Sequence, residues 1–283
     1  MSSDLETESF DLREVEAGIR GTEFAGCLRH FPSVCSTNTL ALEAAQAGAR
    51  GGVWVADEQT AGRGRGGHLW HSAAGDGLYV SALVTPSLGI GTALKLSLST
   101  GLAAQAAIRE TTGLIADLRW PNDLLLRGRK CGGILVETAV GAAPAESPGA
   151  PMLRYAVIGV GLNLNHTGFP SKLCELATSL RLEVGDAVRR EAVLVALLRA
   201  LDREIRLLIR EDRQQDGGVL NGAGLLDRFS SASTWVGGKR VRVGEVDGYT
   251  GVTAGLDRDG FLLVDGDDGV RHTVLSGGVR EDI

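Results

Sequence analysis

A glycine-rich segment, Gly62–Trp70, combines residue types that suit the binding of an anion. Glycine reaches positive φ without a Cβ penalty and lets backbone N–H groups approach a ligand closely. Arg63 and Arg65 stand two positions apart, so both side chains project to the same side of an extended segment. Each guanidinium is a planar fork that fits phosphate or carboxylate oxygens. The segment therefore predicts a loop in which two arginines converge on one ligand.

The charge around this loop differs from that of the whole chain. The formal net charge of the 283 residues is -6, yet no acidic residue lies between Gln59 and Gly75. Such a local excess of positive charge favours a small anion as ligand over a polyanion that would coat the surface. The alternative is a solvated surface hairpin that is rich in glycine for its turns alone.

The flanking sequence predicts that this loop joins two strands. Gly52–Ala56 and Leu78–Val84 are short apolar runs typical of buried strands. Upstream, Ser36, Thr37 and Asn38 precede a segment rich in alanine and leucine, where Ser36 or Thr37 is a suitable N-cap. Capping alone would explain this triplet.

A hairpin and a long helix are predicted further along the chain. Leu124–Leu126 and Ile134–Thr138 form the arms of the hairpin, and Lys130 begins the returning arm. A lysine at this place would also guard an exposed sheet edge against aggregation. Asp186 is expected to cap a helix over Ala187–Glu211, with leucines on one face and solvated arginines on the other.

The C-terminal part of the chain has a different pattern. Short alternating segments after Phe229 are separated by turns rich in aspartate and glycine. They are Lys239–Val243, Thr250–Leu256, Phe261–Val264 and Arg271–Leu275. We expect a small β-barrel over residues 232–283 and a catalytic domain over residues 1–231, which makes the fold class α+β.

Composition excludes several classes of protein. No apolar run approaches the length that spans a bilayer, and Met1–Arg20 is acidic rather than a basic, apolar leader, so we expect a cytoplasmic protein without a membrane partner. The four cysteines lack the paired spacing of zinc sites, which predicts reduced, mostly buried thiols. The first thirty-five residues have room for one short helix and one strand. They leave no room for a helix-turn-helix module, so DNA is not an expected partner.

Two nucleotide-binding folds are also disfavoured. Gly159-Val160-Gly161 has no third glycine that opens a helix, and the chain contains no phosphate-loop motif.

Four segments follow one another along the chain. They are Gly62-Arg63-Gly64-Arg65 with Trp70, Arg119-Trp120-Pro121-Asn122-Asp123, Lys130-Cys131-Gly132-Gly133-Ile134-Leu135-Val136-Glu137 and Gly161-Leu162-Asn163. In this order they resemble the signature of biotin protein ligases, and the resemblance extends from about Ser36 to the terminus. The resemblance implies a mixed-sheet catalytic domain akin to that of class II aminoacyl-tRNA synthetases, followed by an SH3-like barrel. It implies the monofunctional type, without a DNA-binding domain.

The reaction implied by this resemblance has two steps. The carboxylate of biotin attacks the α-phosphate of ATP, supplied with Mg²⁺, to give biotinoyl-5'-AMP and pyrophosphate. A lysine on the biotin carboxyl carrier domain of an acyl-CoA carboxylase then takes the acyl group. Such an enzyme mainly aligns two anions and offsets charge at phosphorus.

The resemblance also implies roles for individual residues, while leaving the metal ligands unassigned. The catalytic charges are Lys130, Arg65 and Arg63. Biotin-binding positions are Ser36, Thr37, Asn38, Gln59, Arg63, Gly64, Arg65, Lys130 and Gly133. Positions around ATP or the adenylate are Arg65, Trp70, Asn122, Lys130 and Asn163. The competing interpretation is that Trp70 belongs to the core and that Asn122 only follows a proline turn.

The chain departs from many relatives at two positions. His68 stands near the end of the glycine loop where many have arginine, and no phosphate role is assigned to it because histidine is not reliably charged at neutral pH. Arg119 replaces the lysine that many relatives have before Trp-Pro-Asn-Asp, which keeps the charge but changes its geometry.

Three other functions compete with biotin ligation. A lipoate or octanoate ligase would share the core fold but lacks the double Gly-Arg loop, and a biotin-sensing repressor needs a DNA-binding module. A non-catalytic anion-binding module would bind the same ligands without releasing pyrophosphate.

Overall fold

The computed structural model describes residues 10–141, 151–214, 223–244, 248–275 and 278–282. The helices are α1 (Leu12–Gly18), α2 (Thr37–Gln46), α3 (Ala93–Thr112), α4 (Leu180–Val184), α5 (Arg190–Gln214) and α6 (Leu225–Ser231). The strands are β1 (Leu28–Val34), β2 (Gly52–Gln59), β3 (Gly77–Val84), β4 (Asp117–Arg119), β5 (Asp123–Leu126), β6 (Arg129–Val140), β7 (Leu153–Asn163), β8 (Gly237–Val243), β9 (Tyr249–Leu256), β10 (Leu262–Gly266), β11 (Arg271–Val274) and β12 (Val279–Glu281).

The larger sheet has seven strands in the order β1-β2-β3-β7-β6-β5-β4. Strand β1 runs parallel to β2, and the remaining neighbours are antiparallel, so the sheet is mixed. The glycine loop connects β2 to β3, as predicted, and β3 is buried along its whole length. A strand covered on both faces is expected to be a continuous apolar run, which is what Leu78–Val84 shows.

Helices cover both faces of this sheet. Successive side chains of a strand point to opposite faces, so neighbouring residues of one strand pack against different helices. Trp54, Leu83 and Val157 pack with α2. Their strand neighbours Val53 and Ile158 belong to the larger core that contains α3 and α5.

Helix α5 carries a buried leucine stripe and exposed arginines, as the sequence indicated. Its predicted start is wrong, because the helix begins at Arg190 rather than Ala187. Among the described residues, the carboxylate of Asp186 accepts a hydrogen bond only from the adjacent Ala187 N–H, at 2.7 Å, in the segment before the helix. The tertiary contacts of that segment, such as Val188 N–H to Asn165 Oδ1 at 2.8 Å, hold it out of the helix.

The C-terminal strands form an antiparallel five-stranded sheet in the order β11-β10-β9-β8-β12, which confirms the small barrel. The sequence did not predict β12, whose three residues pair with β8 through Val279 and Val243. Helix α6 ends at Ser231 and β8 begins at Gly237. The domain limits of 1–231 and 232–283 stay a prediction.

The segment between α6 and β8 is hydrogen-bonded to β4, the edge strand of the larger sheet. Ser233 Oγ donates to the Leu118 carbonyl at 2.5 Å. Thr234 donates to the carboxylate of Asp117 through its N–H at 2.9 Å and its hydroxyl at 2.6 Å. These bonds attach the C-terminal barrel to the edge of the catalytic sheet.

The cysteines are only partly as expected. All four are free thiols, but only Cys131 is buried, while Cys35 and Cys174 are exposed, so the prediction of mostly buried thiols is wrong. Burial raises the pKa of Cys131 to about 12, which makes it an inert packing residue. Among the described residues, no helix has the length and apolarity needed to cross a membrane.

Candidate functional site

The glycine loop forms a tight hairpin at the end of β2. The Gly64 N–H donates to the His68 carbonyl at 2.7 Å, and the Trp70 N–H donates to the Gly62 carbonyl at 2.9 Å. Between these bonds, Arg65–Gly67 is a short 3₁₀ turn in which Gly66 and Gly67 have φ of 69° and 79°. Side chains at such φ are strained, which accounts for the two glycines.

This hairpin covers a pocket that brings almost all of the predicted site residues together. The lining includes Ser36, Thr37, Asn38, Gln59, Arg63, Gly64, Arg65, Trp70, Val80, Asn122, Lys130, Gly133, Ile134, Leu135, Gly159, Val160 and Gly161. Of the predicted residues, Asn163 alone is not part of this lining.

A second cavity adjoins this pocket and shares Gly64, Arg65, Trp70, Asn122 and Lys130 with it, and we name the two regions the polar slot and the charged cleft. The polar slot is formed by Ser36, Thr37, Asn38, Gln59, Ile134, Leu135, Gly159 and Val160. The charged cleft is formed by Arg65, Trp70, Arg119, Asn122, Asp123, Lys130, Val279 and Arg280. Arg65 and Lys130 line the pocket on both sides and therefore lie where the two regions meet.

A hydrogen-bonded network fixes the side chains of the polar slot from behind. Gln59 Oε1 accepts from the Thr37 N–H at 2.9 Å and from the Thr37 hydroxyl at 3.1 Å. The buried Ser81 hydroxyl lies 2.7 Å from Thr37 Oγ1 and 2.5 Å from Asn38 Oδ1. Ser36 occupies the N-cap position of α2, yet its side chain makes no capping bond. Capping therefore does not explain Ser36, whose side chain lines the slot.

Glu137 connects this network to the glycine loop. Its carboxylate accepts from Asn38 Nδ2 at 2.8 Å and from the Arg63 guanidinium at 3.3 Å. The two acceptor bonds orient the Asn38 amide and hold Arg63 against β6.

Lys130 is held by its backbone and by a shared carboxylate. Its N–H donates to the Leu176 carbonyl at 2.8 Å, and its carbonyl accepts from the Thr178 N–H at 3.0 Å. Its ammonium pairs with Asp123 Oδ1, while Arg119 Nη2 pairs with Asp123 Oδ2 at 2.6 Å. Burial by itself would raise the pKa of Asp123, but Lys130 and Arg119 outweigh it, so the pKa lies below its usual value. Asp123 therefore remains a carboxylate.

Arg65 and Trp70 carry polar groups without protein partners. Arg65 is half-buried and, among the described residues, makes no hydrogen bond or ion pair. Burial lowers the pKa of its guanidinium, although Asp123 acts in the opposite direction. The indole N–H of Trp70 is buried and meets no acceptor within the described ranges. Groups of this kind in a pocket point to a ligand that completes them.

The two predicted asparagines, Asn122 and Asn163, donate hydrogen bonds to backbone carbonyls near the pocket. Asn122 lines the pocket while its Nδ2 donates to the Ile134 carbonyl at 2.8 Å, so it is more than a turn residue. Asn163 lies behind the strand that carries Lys130 and donates to the Thr178 carbonyl at 3.0 Å. It supports the backbone pairing of Lys130 from outside the pocket.

Two sequence comparisons and one structural comparison agree with this geometry. Residues 30–146 match the biotin/lipoate A/B protein ligase family, and residues 236–279 match the biotin protein ligase C-terminal domain. The bifunctional ligase/repressor BirA of Bacillus subtilis (strain 168) is 30% identical over 262 residues, which cover 91% of this chain and 75% of that protein. The chain belongs to the biotin protein ligase family.

Other biotin protein ligases are similar over most of the chain. The biotin--[acetyl-CoA-carboxylase] ligase of Mycobacterium tuberculosis is 34% identical over 256 residues, with 86% of this chain and 84% of that protein covered. The biotin protein ligase of Aquifex aeolicus, solved in complex with biotin and ATP, superimposes with a TM-score of 0.72 at 26% identity. That match covers 91% of this chain and 100% of the other. The predicted family, fold class and ATP-dependent ligase activity are confirmed, in preference to a lipoate ligase.

Sequence reasoning missed several residues that shape this biotin protein ligase site. Gly159 was considered only as part of an incomplete dinucleotide motif, and Gly161 belonged to a family segment without a role of its own, although both line the pocket. A Cβ at Gly159 would lie 2.1 Å from Asn38 Oδ1, and one at Gly161 would lie 2.7 Å from Trp70 Nε1. Their i, i+2 spacing in a buried strand was the available signal, because such residues share one face. Asp123 and Glu137 lay inside the quoted segments, whereas nothing in the sequence indicated Ser81.

Proposed function

We propose that the polar slot binds biotin and the charged cleft binds ATP, so that the biotin carboxylate meets the α-phosphate between Arg65 and Lys130. The observation that carries this proposal is that these two cations line both regions of the pocket. The enzyme would thus make biotinoyl-5'-AMP and release pyrophosphate, and then transfer biotin to a lysine of a carboxylase carrier domain.

The polar slot suits the ureido ring of biotin. Ser36, Thr37, Asn38 and Gln59 offer hydroxyl and amide groups for its N–H groups and carbonyl, and the network behind them keeps these groups in place. Gly133 and Gly64 leave room for the chain that leads to the carboxylate. A Cβ at Gly133 would lie 3.0 Å from the Trp70 ring and 3.3 Å from Lys130 Cε. Apolar slots with a few fixed polar groups are typical of such ligand sites.

The charged cleft suits the nucleotide. The indole of Trp70 presents a ring face and an N–H without a partner, and Lys130 Nζ lies 5.3 Å from the ring centroid. Trp70 and Asn122 are assigned to the adenylate, while Asn163 acts through the Lys130 backbone. Mg²⁺ is proposed to enter as part of the ATP substrate, held mainly by phosphate oxygens and water. Mg²⁺ usually keeps several waters and is bound through substrate phosphates rather than by a cage of protein ligands.

The first step needs charge stabilisation rather than a protein nucleophile. A carboxylate oxygen of biotin forms a bond to the α-phosphorus while the bond to the pyrophosphate oxygen breaks. Lys130 and Arg65 lie beside the phosphorus and offset its growing negative charge, and Arg63 adds a third cation from the loop. In the second step, the neutral amine of the acceptor lysine attacks the acyl carbon and AMP leaves.

We also propose the acceptor, the domain limits and the location of the protein. The name of the Mycobacterium tuberculosis relative suggests acetyl-CoA carboxylase as the source of the acceptor. The domain limits 1–231 and 232–283, a cytoplasmic location and the absence of DNA binding are proposed from sequence. Salt-sensitive binding of duplex DNA by the purified chain at physiological ionic strength would count against the last of these.

The decisive experiment measures pyrophosphate release by the purified chain with biotin, ATP and Mg²⁺. We expect release to depend on biotin and to exceed that with lipoate or octanoate. A carrier domain should then gain the mass of one biotinoyl group, and the same domain with its acceptor lysine replaced by arginine should not. Pyrophosphate release no faster than without enzyme would refute the proposal.

A further inference from the structure

A continuous set of contacts leads from the catalytic lysine to the C-terminal barrel. Lys130 and Arg119 share the carboxylate of Asp123, with Arg119 Nη2 at 2.6 Å and Nε at 3.1 Å from Oδ2. On its other side, the Arg119 guanidinium lies 5.2 Å from the ring centroid of Trp235. Trp235 immediately precedes the barrel strands, is only 5% exposed and lines neither region of the pocket.

The position of Trp235 is fixed by the segment around it. The Trp235 N–H donates to Ser233 Oγ at 3.1 Å, and that hydroxyl donates to the Leu118 carbonyl at 2.5 Å. Arg119 follows Leu118 in β4. The Ser233 hydroxyl therefore links the backbone that carries the Trp235 indole to the strand that carries the Arg119 guanidinium. Lys239 also lies over the indole, 5.0 Å from its centroid, and pairs with Glu281 at 2.6 Å.

The position of the Arg119 guanidinium affects the position of the Lys130 ammonium, because both pair with Asp123. Asp123 is a half-buried carboxylate between two cations, and each of its oxygens pairs with a different one. If Arg119 moved away, Asp123 would turn toward Lys130 and draw its ammonium away from the position where negative charge develops at phosphorus. A planar guanidinium stacks on an indole face, and burial strengthens such a contact.

We propose that Trp235 is a positioning residue for adenylation, which acts through Arg119 and Asp123 on Lys130. This inference rests on the proposed function. According to this inference, the barrel contributes to the first chemical step through Trp235, a residue that does not contact the substrates. Its signature is a loss in kcat at nearly constant KM for biotin, because the polar slot is not involved.

The test is a mutant cycle in steady-state pyrophosphate release by the full chain. We expect Trp235→Leu to lower kcat about fivefold to tenfold, in the range of a cation–π contact in a desolvated place. The KM for biotin should change less than about twofold, and Trp235→Phe, which keeps a ring face, should recover most of the rate. In an Arg119→Gln background, Trp235→Leu should have no further effect, since the contact is already lost.

Lys239→Met is the matched control, because it removes the other cation from the same ring and leaves Arg119 in place. It should keep kcat within about twofold of wild type. If Trp235→Leu does not fold, Trp235→Met preserves most of the buried volume without a ring and takes its place in the cycle.

Two results would overturn the inference. A folded Trp235→Leu or Trp235→Met variant with wild-type kcat would show that the ring is only packing. An equal loss of kcat in wild-type and Arg119→Gln backgrounds would show that Trp235 does not act through Arg119. Both results leave the proposed function intact, because the wild-type enzyme still releases pyrophosphate. A wild-type enzyme without biotin-dependent release refutes the proposed function and this inference with it.

Discussion

The polar slot and the charged cleft share a boundary but satisfy their polar groups differently. In the slot, Thr37, Asn38 and Gln59 are buried or half-buried and hydrogen-bonded to other protein groups. In the cleft, Arg65 and the Trp70 N–H lack hydrogen-bond partners within the described structure. A neutral ring needs donors and acceptors in fixed directions, which a complete network provides. An anion needs available positive charge, which Arg65 offers without a paired carboxylate in the described structure, while Lys130 and Arg119 share the single carboxylate of Asp123.

The largest effect is expected from removing the charge at the boundary of the two regions. Lys130→Ala should lower biotin-dependent pyrophosphate release by about a hundredfold or more, because the ammonium stabilises the transition state. Its side chain is one-third exposed, so the fold should persist. The exposed Lys172→Ala is the control and should behave as wild type. A folded Lys130→Ala enzyme with near-normal turnover would show that the boundary charge is dispensable.

Two glycines of β7 allow the slot and the cleft to be perturbed one at a time. Gly159→Ala places a Cβ 2.1 Å from Asn38 Oδ1, and Gly161→Ala places one 2.7 Å from Trp70 Nε1. Overpacking of this kind costs about 1–3 kcal/mol, so we expect about a tenfold or greater rise in one KM for each variant. Gly159→Ala should raise the KM for biotin and Gly161→Ala that for ATP.

Initial-rate measurements with each substrate varied in turn would test this pair. Gly237→Ala, whose Cβ would have no neighbour within 4 Å, is the control. If both variants raise the same KM, the division of the pocket into two regions is wrong.

A smaller effect on substrate binding is expected when a hydrogen bond is removed from the network behind the slot. Ser81→Ala removes the hydroxyl that contacts both Thr37 and Asn38, and a net hydrogen bond contributes about 0.5–1.5 kcal/mol. The KM for biotin should rise about threefold to tenfold while that for ATP stays constant. Ser99→Ala removes a buried hydroxyl that has no hydrogen-bond partner in the described part of the chain, and it should leave both constants unchanged. Equal values for Ser81→Ala and wild type would mean that the network does not orient the slot.

The smallest effect on turnover is expected outside both regions, at His166. This ring is 1% exposed and neither nitrogen has a hydrogen-bond partner among the described residues. Burial lowers its pKa below the usual 6.5. As the pH falls below 6.5, the unfolded chain takes up a proton that the folded chain does not, so stability is lost; above that pH His166 contributes no such dependence.

His166→Phe should therefore flatten the loss of stability between pH 7.5 and 5.5, by no more than about 1.4 kcal/mol per pH unit. Urea unfolding at a series of pH values would measure this, with turnover at pH 7.5 unchanged. The exposed His68→Gln should show the wild-type slope. An unchanged slope in His166→Phe would mean that another group controls this pH range.

The parts of the fold that depend on local patterns could be predicted from sequence. The strands around the glycine loop, the hairpin whose returning arm begins at Lys130 and the C-terminal barrel follow from apolar runs and turn residues. Local patterns also misled, as at Asp186, where contacts of the preceding segment override a suitable N-cap. Local capping residues express a preference that tertiary contacts of about the same energy can reverse.

The contacts that complete the site join residues far apart in the chain. Asn38 and Glu137 are separated by 99 positions, and their pairing depends on how α2 lies against β7 and on the register of β6 beside β7. Trp235 and Arg119 meet because the barrel is attached to β4. Nothing in the local sequence of Ser81 distinguishes it from any other serine in a buried strand. Such residues can be recognised only when the sheet order and register are known.

The charge of Glu137 sets the direction of the Asn38 amide and, through it, of the Ser81 hydroxyl. An ionised carboxylate only accepts, so the NH₂ group of Asn38 must face it and the amide oxygen must face Ser81. The single hydrogen of the Ser81 hydroxyl is then directed to Asn38 Oδ1, while the Thr37 hydroxyl donates its own hydrogen to Gln59. One oxygen of one carboxylate thus aligns the dipoles of two side chains. A neutral amide in its place would preserve the shape of the slot but permit the opposite alignment, and with it a ligand of reversed polarity.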